Sequence, residues 1–305
     1  MYPIQNAQPG NLAPAFRYSL VIATLHDDGD LEKCLASLLT LVDGPSFEVI
    51  VVDQNGDDRL VDLVSRYARS LSIVHERVMF RSACRARNLG VRLAKGAWVG
   101  FPDDDCQLMS DTLKEVDRLS SQPLACVVTG QTVDPSGVPN VLRWKQEQVI
   151  FNRWTMFGCL TEATLFVRKD AFLRVDGFDE RLGPGSRFPA AEGIDLVNRL
   201  FADLGDGSGV ATYSPRIRMT HPTKIPPWDR WAARRFHSYA CGDGGLIAKT
   251  PQPHILYWGA RTVVAATLQM LSMRGWRSLA FGARLVGLCK GFFTGLFAFH
   301  WGGPR

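Results

Sequence analysis

The stretch Ala97 to Cys106, AWVGFPDDDC, constrains this chain more than any other. Trp98-Val99-Gly100-Phe101 is a short apolar run, stopped by Pro102 and three consecutive carboxylates, Asp103, Asp104 and Asp105. A run this short, bounded by Gly96 and by acids, reads as a buried strand. The acids then emerge at the strand's carboxyl end, where open α/β sheets place their ligands. Three adjacent like charges repel each other. Either they form a solvated turn that caps a helix, or they serve a divalent cation, which carboxylate oxygens bind well.

The surroundings favour the cation. Tyr18 to Thr24, YSLVIAT, reads as a first strand, followed by a helix with Asp30 as its cap and leucines at helical spacing. Phe47 to Asp53, FEVIVVD, is a second buried strand that also ends in a carboxylate. Arg59 to Arg69 reads as a helix, Ile73-Val74 as a short strand, and Ser82 to Lys95 as a helix crowded with Arg85, Arg87, Asn88 and Arg92. The acidic strand and a helix over Asp111 to Ser120 follow. This alternation predicts βαβ units and a mainly parallel sheet. Thr24, Asp53 and the acidic triplet then line one rim. No G-x-G-x-x-G follows the first strand and no P-loop is present, so a dinucleotide fingerprint is excluded.

Leu124 to Gly130 and Ala163 to Arg168 read as further strands. A Gly/Pro-rich loop, RLGPGSRFPAA, is either a lid or an ordinary surface loop. It leads into Glu192-Gly193-Ile194-Asp195 and a helix, LVNRLFADLG. Met219-Thr220-His221-Pro222 closes the α/β pattern, and Pro226-Pro227-Trp228 marks a break. Beyond it lie a basic, aromatic helix over Asp229 to Lys249 and two apolar stretches, Ile255 to Met273 and Leu279 to Phe299. Arg261, Arg284 and Lys290 interrupt these stretches, which argues against spanning helices, since a mid-helix Arg is costly. Long helices that mix basic residues with Trp and Phe suit an anionic membrane surface. The alternative is packing on the catalytic domain or on a second subunit, as in a homodimer.

Length and charge complete this picture. The 305 residues suffice for one large α/β domain with an appendage. From Arg216 onward there are 13 Lys or Arg against two acids, Asp229 and Asp243, whereas the whole chain carries only +5. A basic tail on an acidic body points to an anionic partner. Nucleic acid is not expected, because the tail carries long apolar stretches. Seven scattered Cys without a C-x-x-C pair predict neither disulfides nor a zinc site, and a reducing compartment. The N-terminal MYPIQNAQPGNLAPAF lacks the apolar core of a signal peptide and reads as a loose leader. The expected organisation is a leader over 1–17, a catalytic domain over 18–225 and a basic amphipathic helical region over 226–305.

Taken in order, VIAT, VVDQN, CRARNLGVRLAKGAWVGFPDDDC, GFDERLGPG, EGIDLVNRL and the His221-Pro222 pair resemble the family 2 glycosyltransferases over roughly Tyr18 to Lys249. SYACGDGGLIAK and its basic tail look like a bacterial branch that builds cell-surface polysaccharides. The resemblance implies the GT-A fold: a mainly parallel central sheet flanked by helices, here followed by C-terminal amphipathic helices. It implies an inverting enzyme that moves a sugar from a nucleotide-sugar donor, UDP-linked by expectation, to a glycan or lipid-linked glycan acceptor. The enzyme would sit in the cytoplasm, peripheral on the inner face of the plasma membrane.

The resemblance also implies roles for particular residues. Asp53, with Thr24 beside it, would bind the base or ribose. Asp103 and Asp105 would hold Mn2+ or Mg2+ against the donor diphosphate, with Asp104 reaching the ribose and His221 completing the metal site. Arg81, Arg85 and Arg87 lie just upstream, and Arg81 and Arg85 are the candidates for donor phosphate. The family places its general base in an acidic pair at the head of the EGIDLVNRL helix. Here Gly193 occupies the second position, which leaves Glu192 as the base and Asp195 as second choice. That departure motivates an alternative, a catalytically silent nucleotide-sugar-binding scaffold. A nucleotidyltransferase is a further rival that also uses an α/β sheet and a metal.

Overall fold

The α/β alternation is present in the structure, a computed structural model that describes residues 15–26, 29–41, 44–206, 209–223, 225 and 227–301. Of the expected leader, residues 1–14 lie outside the described residues, as does Pro226 of the expected break. Strands β1 (Phe16–Thr24), β2 (Phe47–Asp53), β3 (Ile73–Arg77) and β4 (Gly96–Gly100) pair in parallel in the order β3-β2-β1-β4. Helices α1 (Asp30–Leu38), α2 (Val61–Tyr67) and α3 (Ala83–Leu93) make the crossovers that parallel pairing requires. Gly29, not Asp30, stands at the N-cap of α1, at φ 83°, and Asp30 is the first helical residue.

The β-branched strands are covered on both faces. Leu20 and Ile22 pack with Leu31, Cys34 and Leu35 of α1. Val21, Ile50 and Val52 pack with Cys84, Ala86 and Val91 of α3. The sheet is therefore the middle of three layers. Register sets Thr24 opposite Asp53, so both reach the same rim as the end of β4.

The second half of the sheet is mixed. It holds β5 (Gln107–Leu108), β6 (Val127–Val133), β7 (Val149–Ile150), β8 (Phe166–Arg168) and β9 (Ala211–Thr220), with helices α4 (Thr112–Ser120), α5 (Lys169–Arg174) and α6 (Glu192–Leu204). β8 lies antiparallel between β4 and β6, and β9 runs parallel to β6. The expected strand from Ala163 starts later, because Glu162–Thr164 forms a 3-10 turn. β9 was not foreseen as a strand. Its sequence, ATYSPRIRMT, contains Pro215, and proline removes a ladder donor. The pairing with β6 shifts register between Thr129 and Gln131. There Gly130 lies so close that a Cβ would come within 2.2 Å of the Ile217 carbonyl oxygen.

Helices α7 (Arg230–Lys249), α8 (Pro253–Ser272) and α9 (Trp276–Leu296) complete the fold, with a π turn over Phe297–Trp301. Pro253 opens α8, where its missing N–H costs nothing. α7 and α9 run parallel, with Gly287 against His237, Gly291 against Cys241 and Gly295 against Ala248. A Cβ on Gly291 would lie 2.1 Å from the Cys241 carbonyl oxygen, so only glycine permits this approach. These helices dock on the sheet domain through Lys249 on Asp195, His254 on Asn198, and Phe188 stacked on Phe299. Their outer faces leave Leu268, Leu271, Trp276, Leu279 and Phe293 exposed. Among the described residues one segment, Trp276–Trp301, is long and apolar enough to cross a membrane, and a third of its most apolar window is buried inside the protein. All seven cysteines are free thiols.

Candidate active site

β4 ends at Gly100, and the chain carries its three carboxylates out past the sheet. They diverge. Asp104 turns back to accept a hydrogen bond from Thr24 Oγ1 at 2.8 Å. Burial pushes its carboxyl up to about 6, aided by Asp103 and Asp105, while the Thr24 bond pulls it down. Asp103 and Asp105 instead approach His221, just beyond β9, and Cys106. One ligand atom from each of these four residues lies within 4.8 Å of all the others.

The donor chemistry suits a divalent cation. His221 Nδ1 lies 2.9 Å from the Pro222 carbonyl oxygen, which only accepts, so Nδ1 carries the proton. Nε2 lies 3.8 Å from Asp105. That is the arrangement by which a second partner fixes a ligating imidazole. Burial pushes the Cys106 thiol up, with Asp103 and Asp105 adding to the effect. Asp103, Asp105 and His221 offer two carboxylates and one imidazole, a donor set that fits Mn2+ or Mg2+.

Asp53 lies at the end of β2, opposite Thr24. Its Oδ1 accepts from the Asn55 backbone and side-chain amides, both at 2.9 Å, and its Oδ2 lies 3.2 Å from His75 Nε2. Gln54 accepts from the Ser82 amide at 2.7 Å and so ties this rim to the start of α3.

The arginines of α3 divide by helical face. Arg85 is exposed and stacks on Phe80, 4.1 Å from the ring centroid, and Arg81 is exposed as well. Arg87 instead is buried. It donates to Asp103 at 2.7 Å and to Glu192 at 3.3 Å, joining the acidic strand end to the start of α6. Desolvation works against its charge, but Asp103 and Glu192 outweigh that and hold the guanidinium firmly protonated. The sequence carried a signal for this: Cys84, Arg87, Asn88 and Val91 share one helical face, and all four are buried.

Glu192 opens α6 after Ala191, a non-glycine residue at φ 71°. Left-handed alanine costs about 1–2 kcal/mol. Burial raises the Glu192 carboxyl well above its usual range, the nearby Glu162 charge adds to this, and Arg87 opposes it. Gly183, at φ 85°, makes room: a Cβ there would stand 2.9 Å from the Glu192 carboxyl carbon. Asp195 is tied up differently. Its two oxygens receive Lys249 Nζ at 2.5 Å and Arg199 Nε at 2.8 Å. Lys249 also pairs with Asp179 at 2.7 Å.

The glycine beside Glu192 has a structural cause. The Gly193 amide donates to Glu162 Oε1 at 2.8 Å, and a Cβ on residue 193 would fall 2.4 Å from that oxygen. A carboxylate delivered from the turn before β8 thus fills the space beside Glu192. Neither Glu162 nor Lys249 carries a direct sign in the sequence; the hint lies in the glycine itself.

A three-layer α/β fold whose strand ends gather carboxylates, an imidazole and a bridging arginine is that of a GT-A glycosyltransferase. A family model, glycosyl transferase family 2, matches residues 19–182, more than half of the chain. The chain belongs to this family of glycosyl-transferring enzymes. Chondroitin synthase of Pasteurella multocida is 33% identical over 89 residues, which are 28% of this chain and 9% of that protein. The Staphylococcus aureus poly(ribitol-phosphate) beta-N-acetylglucosaminyltransferase TarS is 28% identical over 131 residues, 40% of this chain and 22% of TarS. The matches thus span less than a quarter of either relative. Among solved structures, TarS residues 1–349 align over 94% of this chain and 92% of that one, with a TM-score of 0.58 and 17% identity. The mannosyltransferase PcManGT of Pyrobaculum calidifontis, in complex with GDP-Man and Mn2+, aligns over 95% and 91% with a TM-score of 0.64 and 18% identity. At such identities the likeness is one of fold.

Proposed function

We propose that this chain is a metal-dependent, inverting glycosyltransferase that uses a nucleotide-sugar donor, UDP-linked by preference. The observation that carries the reading is the convergence of Asp103, Asp105 and His221 beside an arginine that links them to Glu192. TarS structures with UDP and with UDP-GlcNAc, and the PcManGT complex, support a nucleotide sugar as donor. Asp53 and Thr24 hold the base and ribose end, with Asp104 at the ribose. Exposed Arg81 and Arg85 meet the phosphates as they arrive. Asp103, Asp105 and His221 hold Mn2+ or Mg2+. When bound, the cation offsets the charge that builds on the departing diphosphate.

Glu192 takes the proton from the acceptor hydroxyl. The oxygen bonds to the anomeric carbon from the face opposite the diphosphate, and the carbon–phosphate-oxygen bond breaks with its electrons leaving on the nucleotide. Asp195, held by two cations, positions α6 in place of acting as the base. The acceptor is a glycan or lipid-linked glycan, met at the inner face of the plasma membrane, where the basic, apolar C-terminal helices rest.

Nucleotide release from UDP-GlcNAc, UDP-glucose and GDP-mannose, with Mn2+ or EDTA, tests this reading. Release from at least one donor is expected, abolished by EDTA and slowed about 10²–10⁴-fold in Glu192→Gln, the usual loss for a missing base. Donor-induced thermal stabilisation should persist in that variant. A fully active Glu192→Gln would remove Glu192 from the role, and a dead Asp195→Asn beside it would transfer the role to Asp195.

A further inference from the structure

Gly193 sits in the first turn of α6 at a helical φ, so its backbone does not require glycine. Glycine within a helix is a liability that alanine would remove. What requires it is space, because the Glu162 carboxylate stands where a side chain would begin. Glu162 arrives from the 3-10 turn Glu162–Thr164, which precedes β8 in the chain, whereas α6 follows it. One of its oxygens is fixed by the Gly193 amide at 2.8 Å. Glu162 is a partly exposed residue, whereas Glu192 beside it is buried. Its charge adds to the burial that raises the Glu192 carboxyl, and the Cys84 thiol and that carboxyl meet at Gly183. A carboxylate on a partly exposed residue, pinned at one oxygen and adjoining the buried acid, is built to meet a ligand with the other.

We propose that Glu162 is an acceptor-side carboxylate of the transfer site, which receives a hydrogen bond from a second hydroxyl of the incoming acceptor and so holds the reacting hydroxyl against Glu192. This rests on the donor-and-base reading given above. Glu162 replaces in space the side chain that residue 193 lacks: the second acid comes from a different element. Water carries two hydrogens, one for Glu162 and one for Glu192, so nucleotide release without any added acceptor reports the role.

The test uses the full chain, Mn2+ and the same three donors, UDP-GlcNAc, UDP-glucose and GDP-mannose, with water as the acceptor. Glu162→Gln keeps the volume and the acceptor oxygen for the Gly193 amide but loses the charge. Charge-assisted hydrogen bonds are about twice as strong as neutral ones, so release should fall about tenfold or more. Melting temperature and donor-induced stabilisation should match the wild type. Glu162→Ala should be at least as slow. Adding Gly193→Asp to Glu162→Ala places a carboxylate on the neighbouring backbone position and should recover much of the lost rate. Gly193→Asp alone, facing Glu162, should be slow. A purely structural Glu162 predicts a wild-type rate for Glu162→Gln, and that result overturns the proposal. So does a correctly melting, donor-stabilised double variant no faster than Glu162→Ala. If the wild type itself is neither stabilised by any donor nor releases nucleotide, the donor reading fails and takes this inference with it.

Discussion

A guanidinium that serves two carboxylates at once cannot be exchanged for an ammonium without losing one of them, because the planar fork provides both bonds. Arg87 is such a group, with Asp103 on one nitrogen and Glu192 on another. Above about pH 8, where the raised Glu192 carboxyl is ionised, Arg87→Met should therefore leave Glu192 without its cation and cost about 3 kcal/mol, the lower end for a broken buried pair since Asp103 keeps some solvent. Thermal melting should fall by about 6–12 °C on the usual scaling for domains of this size. Arg87→Lys should fall between the two. Unchanged melting in Arg87→Met would contradict the bridging role. At this scale the sequence was partly readable. The acidic triplet and His221 could be read because their chemistry is local and their order along the chain distinctive. Arg87 was within reach through helical spacing, but the exposed Arg81 and Arg85 present the same chemistry on a run of adjacent arginines. Glu162 was not readable, since its meaning depends on a contact across 31 positions with a residue that has no side chain.

Elements were easier to read than their docking. The β-branched strands and periodic helices of the first half followed from pattern alone, whereas β9 hid behind Pro215 and a register shift. The attachment of α7 could not be foreseen, because it rests on long-range contacts: Gly242 against Ala190, Gly245 against Phe188, and Lys249 on two acids. Lys249 neutralises Asp179 and Asp195, which also hold Arg181 and Arg199 respectively. Lys249→Met should cost about 2 kcal/mol, the scale of charged hydrogen bonds, as each acid keeps one arginine. The acid limb carries a signature. Burial works to raise the Asp179 carboxyl, but the Arg181 bond and Lys249 overcome it and hold it well below the usual carboxylate range. A carboxyl depressed on folding contributes stability that is complete above its unfolded value near 3.8 and is lost as the pH falls toward its folded value. The melting difference between wild type and Lys249→Met should therefore be constant from about pH 7 down to about pH 5, by the same linkage, and shrink below about pH 4. A difference that stays constant to about pH 2 would show that Lys249 does not set the Asp179 charge.

The whole molecule joins an acidic sheet domain to basic helices with an apolar outer face. Interfacial binding combines buried apolar area with attraction to anionic lipid. Leu268→Glu with Leu271→Glu, both on the exposed face of α8, should reduce co-sedimentation with vesicles containing phosphatidylglycerol and leave donor binding intact. Equal pelleting of variant and wild type, or equal pelleting with purely zwitterionic vesicles, would remove the membrane from the account. At the rim of the sheet, the carboxylates beyond β4 are proposed to hold a cation through which donor affinity is gained. Titration calorimetry of UDP into wild type and Asp105→Asn, each with Mn2+ and with EDTA, tests it most directly. Mn2+-dependent binding is expected in the wild type, weakened at least about tenfold, or 1.4 kcal/mol, in Asp105→Asn at an unchanged melting temperature. UDP binding of equal strength in all four titrations would contradict it.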